Sequence, residues 1–318
     1  MMAYKSIIAD MLEQFVHYKK VSESWSGTYA DNLRYFDNYC SVKYPDADSL
    51  TQEMVDGWCK KRDTENNNSC RSRINVVIAF LKYTKARNLL NLSVSIVPSY
   101  TPFTYIPHAF TEEELQNFFK TCDTIATRKN HIYDRLRKIT VPVFFRLLYS
   151  SGIRTCEARL LERKDVDLEQ GVVNIRQGKG YNQHRIILHD SMLNLMIRFD
   201  KAASLLLPER KYFFPNSKGR YFTRQWVQSN YKTLWSFCNL SYSTAYELRH
   251  NYATLNINNW NHEGFGFHSR LLYLSRSMGH SVLESTKYYY SLVPNLADIM
   301  KELTNESFNA LLPDYEKE

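Results

Sequence analysis

The sequence is poor in the features that mark membrane, secreted and metal-binding proteins. Across its 318 residues no apolar run approaches the length of a bilayer span, and no positively charged start leads into a signal-like segment. The 6 cysteines form no CxxC pair, and no histidine cluster has the spacing of metal ligands. We therefore expect an intracellular, cytoplasmic protein with reduced cysteines that are wholly or partly buried.

Charge is the compositional feature that points to a partner. The formal net charge is +8, an excess that favours a polyanionic partner without requiring one. Internal repeats and low-complexity tracts are absent. The apolar content of 44% is ordinary for a globular chain that is long enough for one large domain or two average ones.

The chain divides into two helical parts joined by a proline-bearing segment. Residues 1–94 carry apolar residues at helical spacing and almost no strand pattern, which predicts a compact module of about four helices. Residues 95–109 contain three prolines without a helical period and are predicted to be an extended linker. Residues 110–318 form the second predicted domain, which opens with a capping box at Thr111 and Glu114.

The second part is predicted to be helical around a small sheet. Short β-branched runs at 172–175 and 185–188 flank a glycine-bearing turn, which predicts an antiparallel hairpin. Pro142 is predicted near the first turn of a helix that runs towards Tyr149. The predicted fold class is therefore mainly α with a small antiparallel β-sheet.

Four short motifs in the second part carry groups that could do chemistry. Taken singly, each has an ordinary structural explanation: ion pairs or caps for arginine and histidine, solvation for a lysine at a hairpin tip, and packing for tyrosine. In chain order, their polar residues are Arg154 with Glu157, Lys179, Tyr246 with Arg249 and His250, and His280 followed by Tyr288, Tyr289 and Tyr290.

In this order the motifs resemble those of the tyrosine recombinase family, also called the phage integrase family. SGIRTCEAR resembles the family's first box, with Arg154 as the first arginine, and QGKGYNQHR resembles its hairpin, with Lys179 as the hairpin lysine. ELRHNYAT is similar to the second-arginine box, with Arg249. MGHSVLESTKYY is similar to the last box, with His280 and, nine positions later, Tyr289. The resemblance covers about residues 110–295.

The resemblance implies both a fold and an activity. Residues 1–94 would be a helical, SAM-like core-DNA-binding domain, and residues 110–318 an α+β catalytic domain with a C-terminal helix or tail. The implied activity is site-specific DNA recombination through a 3′-phosphotyrosine, for the integration, excision or transposition of a mobile element. The two arginines would clamp the phosphate, Lys179 would be the acid, His280 would assist, and Tyr289 would be the nucleophile. No metal or other cofactor is implied.

One position departs from the family's pattern. Tyr246 stands where the family most often has histidine, and a phenol is a far poorer base than imidazole at neutral pH. We keep Tyr246 among the candidate site residues for hydrogen bonding to phosphate rather than as a base. Glu157 and His250 are candidate supporting residues.

The expected partners are double-stranded DNA with paired half-sites and further copies of this chain, as a dimer on each site and a tetramer in the synapse. Apolar residues at helical spacing after the tyrosines, from Leu296 to Leu303, would pack on a neighbouring copy or equally on their own domain. Basic residues that could contact the DNA backbone are equally compatible with solvated helix ends. They are Lys60, Lys61, Arg62, Arg71, Arg73, Arg220, Arg224 and Lys232.

Two alternatives to recombination remain at this stage. The same groups serve type IB topoisomerases, which relax DNA, and a DNA-binding relative could have lost catalysis. The helical first part and the presence of both arginines, Lys179, His280 and Tyr289 favour the recombinase. We expect no arm-type DNA-binding domain ahead of the helical module, and a protein of phage or bacterial origin associated with the nucleoid.

Overall fold

The computed structural model describes residues 4–22, 25, 27–94, 96–101, 105–127, 131–176, 183–258, 267–280 and 283–290. The chain falls into two compact units, Met1–Tyr105 and Ile106–Glu318. The predicted C-terminal segment after Tyr290 and the hairpin tip that carries Lys179 lie outside the described residues. Within the described part of the chain, no helix is both long and apolar enough to cross a bilayer.

The first unit contains four described helices around one apolar core. They are α1 (Ala9–Val21), α2 (Gly27–Lys43), α3 (Gln52–Cys59) and α4 (Asn67–Lys85). The side chains of Thr51 and Asn66 cap α3 and α4 by accepting hydrogen bonds from amides in the first turn. Burial on one face of each helix places Phe15, Phe36 and Phe80 in the core. The prediction of a four-helix module is confirmed.

The segment after α4 is held against that helix. Arg71 donates to the Pro98 carbonyl at 2.6 Å, and Asn68 exchanges hydrogen bonds with the backbone of Thr101 at 2.7 and 3.1 Å. Residues 96–101 form neither helix nor strand, and these contacts attach them to the first unit. The compact unit therefore runs beyond residue 94.

The second unit is helical around a three-stranded sheet. Its elements are α5 (Glu112–Asp123), α6 (Ile132–Ser151), α7 (Thr155–Leu160), a 3-10 turn (Arg163–Asp165), β1 (Val166–Asp167), β2 (Val172–Ile175), β3 (His184–Ile187), α8 (Asp190–Leu206), α9 (Arg224–Cys238), α10 (Glu247–Asn258), α11 (Phe267–Ser277) and α12 (Glu284–Tyr290). The strand order is β1-β2-β3, and β2 pairs antiparallel with β3 in the register Val172↔Ile187 to Ile175↔His184. The predicted fold class, hairpin and Thr111 capping box are confirmed.

The prediction for Pro142 is wrong. Pro142 lies inside α6, which begins ten residues earlier at Ile132, rather than in its first turn. Proline lacks the backbone N–H that would continue the helical hydrogen bonds. However, α6 has buried residues before and after Pro142, including Leu136, Val141 and Phe144. Burial of this face outweighs the single missing hydrogen bond.

The cysteines of the described residues are free thiols. Cys40, Cys59, Cys70 and Cys122 are buried, whereas Cys156 and Cys238 are partly buried. Burial raises the pKa of the Cys59 thiol to about 11 and that of Cys122 to about 12. These thiols therefore stay protonated at neutral pH and act as small apolar core residues.

Candidate active site

The end of α6 directs the first arginine into the site. Gly152 caps this helix in the left-handed conformation at φ 64°, and an added Cβ would lie 2.3 Å from Cδ1 of Tyr252. Only glycine fits such a position without displacing the tyrosine ring. Two residues later Arg154 occupies the N-cap position of α7.

Glu157 holds Arg154 at two points. Its Oε2 accepts a hydrogen bond from the Arg154 amide at 2.8 Å, and its Oε1 accepts one from Nη1 of the guanidinium at 2.7 Å. The Glu157 side chain is fully buried, whereas that of Arg154 is 18% exposed. Nη2 of Arg154 donates to the Gly279 carbonyl at 2.8 Å. The guanidinium is thus fixed in orientation but remains open to solvent.

Arg249 comes from α10 and is almost wholly buried, with 1% of its surface exposed. Its Nη1 donates to the Gly152 carbonyl at 2.5 Å, and its Nη2 donates to the Met278 carbonyl at 2.8 Å. Its Nε has no hydrogen-bond partner among the described residues. Burial, and then the neighbouring charge of Arg154, lower the pKa of Arg249 from its usual value. Two arginine side chains therefore lie close enough to repel each other.

His280 bridges Arg249 to the start of α12. Its Nε2 lies 2.9 Å from Nη2 of Arg249, and its Nδ1 lies 2.7 Å from the hydroxyl of the buried Thr286. An arginine can only donate, so Nε2 accepts and Nδ1 carries the proton that is donated to Thr286. Burial, then Arg249 and Arg154, lower the pKa of His280 to about 4. The imidazole is therefore neutral at neutral pH.

Tyr289 is the tyrosine of α12 that enters this cluster. It is 3% exposed, and its ring lies parallel to that of His280, with 6.1 Å between the ring centroids. Burial raises the pKa of Tyr289 to about 12, although the positive charge of Arg249 acts in the opposite direction. Tyr288 is only partly buried, and the side chain of Tyr290 is outside the described residues.

His250 on α10 and Tyr246, the residue before α10, flank the cluster. Tyr246 is 44% exposed, and its ring meets that of His250 edge-on with centroids 4.8 Å apart. His250 also contacts Tyr289, with centroids 5.3 Å apart. Burial, and then Arg249, lower the pKa of His250 to about 4. A buried neutral imidazole in this position packs against the tyrosine ring, while the exposed Tyr246 phenol remains accessible to a ligand.

The structure therefore brings together six of the eight predicted catalytic and supporting residues through hydrogen bonds, ring contacts and the repulsion between the two arginine charges. They are Arg154, Glu157, Arg249, His250, His280 and Tyr289. Tyr246 lies at their edge, and Lys179 lies outside the described residues. Two further residues contact the cluster and carried no sequence signal: Thr286, whose hydroxyl accepts a hydrogen bond from His280, and His184, which opens β3.

The predicted DNA-contacting residues differ in exposure. Lys60, Lys61 and Arg62 are exposed, and the Arg62 guanidinium lies over the Trp58 ring at 4.7 Å. Arg71 is partly buried through its bond to Pro98. In the second unit Arg220, Arg224 and Lys232 are exposed.

The prediction that Arg73 could contact the DNA backbone is wrong, because its side chain is buried. Its side chain is only 6% exposed and forms an ion pair with Glu65. It also donates to the Trp58 and Lys60 carbonyls. All of these contacts join α4 to the end of α3 and the loop that follows it. Helical position alone could not distinguish Arg73 from Arg71, because the sequence does not show that Glu65 folds back onto it.

The second unit matches the model of the phage integrase family over residues 108–295. The chain belongs to the phage integrase family. Curated relatives agree: the chain is 26% identical over 188 residues to the putative integrase/recombinase y4rE of Sinorhizobium fredii, covering 58% of this chain and 59% of that protein. It is 28% identical over 165 residues to tyrosine recombinase XerD of Vibrio cholerae, covering 50% and 51%. The chain thus spans about half to three fifths of the length of these two phage integrase relatives.

Other relatives align with more of the chain. Tyrosine recombinase XerA of Pyrococcus furiosus is 24% identical over 296 residues and covers 91% of both proteins. The solved XerH site-specific recombinase bound to difH substrate has a TM-score of 0.58 at 19% identity, covering 82% of this chain and 74% of that one. The Tn1549 transposon integrase in complex with transposon right end DNA has a TM-score of 0.59 at 14% identity, covering 92% and 98%. At such identities the two structures establish the shared phage integrase fold.

Proposed function

We propose that the chain is a site-specific DNA recombinase that cuts and rejoins strands through a 3′-phosphotyrosine intermediate. The observation that carries this proposal is the grouping of two arginines, Arg154 and Arg249, with His280 and the buried Tyr289, whose ring is parallel to that of His280 and whose pKa is affected by Arg249. Membership of the phage integrase family supports it. The substrate would be double-stranded DNA, and the reaction would serve integration, excision or transposition of a mobile element.

The two arginines suit a phosphodiester that gains charge during attack. The charge of Arg154 is near enough to lower the pKa of Arg249, and Glu157 is the carboxylate paired with Arg154. The site therefore has surplus positive charge, which the non-bridging oxygens of a phosphate would balance. Because these oxygens carry most charge in the five-coordinate transition state, losing either arginine should reduce the cleavage rate by about 100-fold or more. DNA affinity should change far less.

Tyr289 is the proposed nucleophile. Attack of its oxygen on phosphorus forms the phosphotyrosine bond as the bond from phosphorus to the 5′ oxygen breaks. A pKa of about 12 means that the phenol must lose its proton during attack rather than beforehand. Neutral His280, stacked on the Tyr289 ring, can accept a proton at Nε2 once Arg249 turns its Nη2 towards phosphate.

Lys179 is the proposed acid for the departing 5′ oxygen. It follows β2 and precedes β3, whose start at His184 contacts Gly279 at the edge of the site. A substrate in which sulfur replaces the bridging 5′ oxygen has a leaving group that needs no proton. The cleavage defect of Lys179→Ala should disappear with that substrate, whereas that of Arg249→Ala should persist. A Lys179→Ala defect that is equally large with sulfur would contradict this role.

We further propose that two copies bind each recombination site and four form the synapse. The λ integrase has been solved as a tetramer bound to a Holliday junction and as a dimer bound to a COC′ core site. The helical first unit would contact the core DNA with Lys60, Lys61 and Arg62. Cytoplasmic location, with association to the nucleoid, fits this substrate. Type IB topoisomerase activity and a purely DNA-binding role have no specific observation in their favour.

A nicked suicide substrate tests the proposed activity. It would carry the cognate site, taken from the DNA that flanks the encoding gene. A nick close to the cleavage position would let the short fragment that bears the new 5′ hydroxyl diffuse away, so that it cannot be rejoined. The wild-type protein should accumulate a covalent DNA adduct that survives denaturing electrophoresis, and Tyr289→Phe should form none. Tyr288→Phe is the matched control and should still form the adduct. Binding of the site without any adduct would support the DNA-binding alternative instead.

A further inference from the structure

His184 lies at the edge of the site with its side chain almost wholly buried. It opens β3, five residues after Lys179, and its side chain is 5% exposed. Histidine is usually found partly exposed, so near-complete burial beside charged groups needs an explanation. The explanation lies in the two segments that its ring contacts.

The first contact is with the carboxylate that orients Arg154. Nε2 of His184 lies 3.9 Å from Oε2 of Glu157, which is the oxygen that accepts the Arg154 amide. Glu157 is fully buried and also holds the Arg154 guanidinium. The imidazole therefore packs beside the group that sets the direction of the first arginine.

The second contact is with the turn that presents His280. An added Cβ on Gly279 would lie 2.6 Å from both Cε1 and Nδ1 of His184, so the ring lies directly against this glycine. Gly279 has φ 64°, and its carbonyl accepts a hydrogen bond from Nη2 of Arg154. His184 also contributes to lowering the pKa of His280. One side chain from β3 thus contacts both supports of Arg154.

We propose that His184 is a positioning residue that fixes the Arg154 guanidinium by bracing Glu157 on one side and Gly279 on the other. This proposal rests on the proposed recombinase function. His184 does not touch phosphate in it. It limits the movement of the two acceptors, so the arginine meets the transition state with its donors already aligned. A misplacement of about 1 Å in such a site can reduce a rate by about 100-fold.

The cleavage defect of a His184 variant should come from the misplaced Arg154 guanidinium and not from loss of the proposed leaving-group acid, Lys179. In single-turnover cleavage of the suicide substrate, His184→Ala should lower the rate by 10-fold or more while leaving DNA affinity within 2-fold. Replacing the bridging 5′ oxygen by sulfur should not rescue this variant, although it should rescue Lys179→Ala. His184→Gln keeps a planar polar side chain and should recover part of the rate. His189→Ala, which removes an exposed histidine at the N-cap of α8, two residues after β3, should cleave like the wild type.

A double-mutant cycle with Arg154→Lys gives the decisive comparison. If His184 acts through Arg154, His184→Ala should reduce the rate less than 3-fold in the Arg154→Lys background, because the aligned guanidinium is already gone. A full 10-fold loss in that background, a rescue by sulfur, or a wild-type rate for His184→Ala would each overturn the inference. Circular dichroism and the unfolding temperature should show each variant folded, and His184→Gln carries the test if His184→Ala is not. A wild-type protein that forms no adduct would instead refute the recombinase function itself.

Discussion

At the scale of single residues, the site stabilises neutral histidines beside permanent positive charges. His280 and His250 each have a pKa lowered to about 4, first by burial and then by Arg249. Protonation of either would add a third positive charge next to two arginines. A neutral imidazole keeps an acceptor nitrogen, which the proposed transfer of the Tyr289 proton to His280 requires and a charged imidazole would lack.

Acid should therefore destabilise the fold through His250. Below about pH 6.5 the unfolded chain protonates this histidine, whereas the folded chain excludes the proton until about pH 4. The free energy of unfolding should fall as the pH drops across that window, by about 3 kcal/mol for this group since one pKa unit is about 1.4 kcal/mol. His250→Gln should lose that much less stability than the wild type between pH 7 and pH 4. Urea unfolding at several pH values measures it.

Other groups also titrate in the same window, so the comparison of slopes is the informative quantity. Burial raises the pKa of Glu247 to about 7, so this carboxyl contributes stability that is lost as the pH rises from about 4.5 towards 7. His280 acts in the same direction as His250. Glu247 and His280 are unchanged in His250→Gln. Parallel stability curves for the variant and the wild type would show that His250 is not held neutral by the fold.

At the scale of elements, helix ends and turns place the reactive groups. The carbonyl of Gly152, at the end of α6, and the carbonyls of Met278 and Gly279, after α11, accept the arginine hydrogen bonds. Gly152 and Gly279 both have φ 64°, a left-handed conformation that explains why glycine occurs in each of these turns. The site is thus fixed by the paths of three chain segments as well as by side-chain contacts.

Gly152→Ala should harm both stability and cleavage. Its Cβ would collide with the Tyr252 ring, and its carbonyl holds Arg249. Gly219→Ala is the matched control, because Gly219 has a similar φ of 71° but nothing within 4 Å of an added Cβ. Both variants should lose about 1 to 2 kcal/mol from the left-handed backbone. Gly152→Ala should lose about 1 to 3 kcal/mol more from overpacking, measured by chemical unfolding. Equal losses in the two variants would contradict the collision.

The sequence predicted local features of these elements well. The Thr111 capping box, the β2–β3 hairpin and the helical stripes depend on residues close in the chain, and the structure contains them. Pro142 was placed wrongly because the tertiary burial of α6 outweighs a local helix-breaking preference. Arg73, His184 and Thr286 owe their roles to contacts between distant segments or to side-chain direction. No spacing rule reveals such contacts in one sequence.

At the scale of the whole molecule, the chain consists of two units with separate apolar cores, and each has a separate proposed role. The first unit carries Lys60 and Lys61 at the end of α3, and both are exposed. The second unit contains the convergent site. Within the first unit, Arg73 forms an ion pair with Glu65 and hydrogen bonds with nearby backbone carbonyls. The proposed phosphate contacts of this unit are therefore the exposed lysines, Lys60 and Lys61.

The salt dependence of DNA binding tests whether Lys60 and Lys61 contact DNA phosphates. Each phosphate contact contributes about 0.9 to the slope of log K against log salt on duplex DNA. The double variant Lys60→Ala/Lys61→Ala should therefore flatten the slope by about 2. Lys82→Ala/Lys85→Ala removes the same charge from exposed positions at the far end of α4 and should leave the slope nearly unchanged. Fluorescence anisotropy at four or five salt concentrations measures the slope for each double variant. Equal slopes for the two double variants would contradict phosphate contacts by Lys60 and Lys61.

Tyr289 is the proposed nucleophile, and the position of the covalent bond to DNA tests that role most directly. The adduct trapped on a suicide substrate would be digested with nuclease and protease, and the peptide containing Tyr288, Tyr289 and Tyr290 sequenced by tandem mass spectrometry. The nucleotide remnant should be on Tyr289, joined through its 3′ phosphate. A remnant on Tyr288, on Tyr290 or on any residue outside this segment would contradict the account.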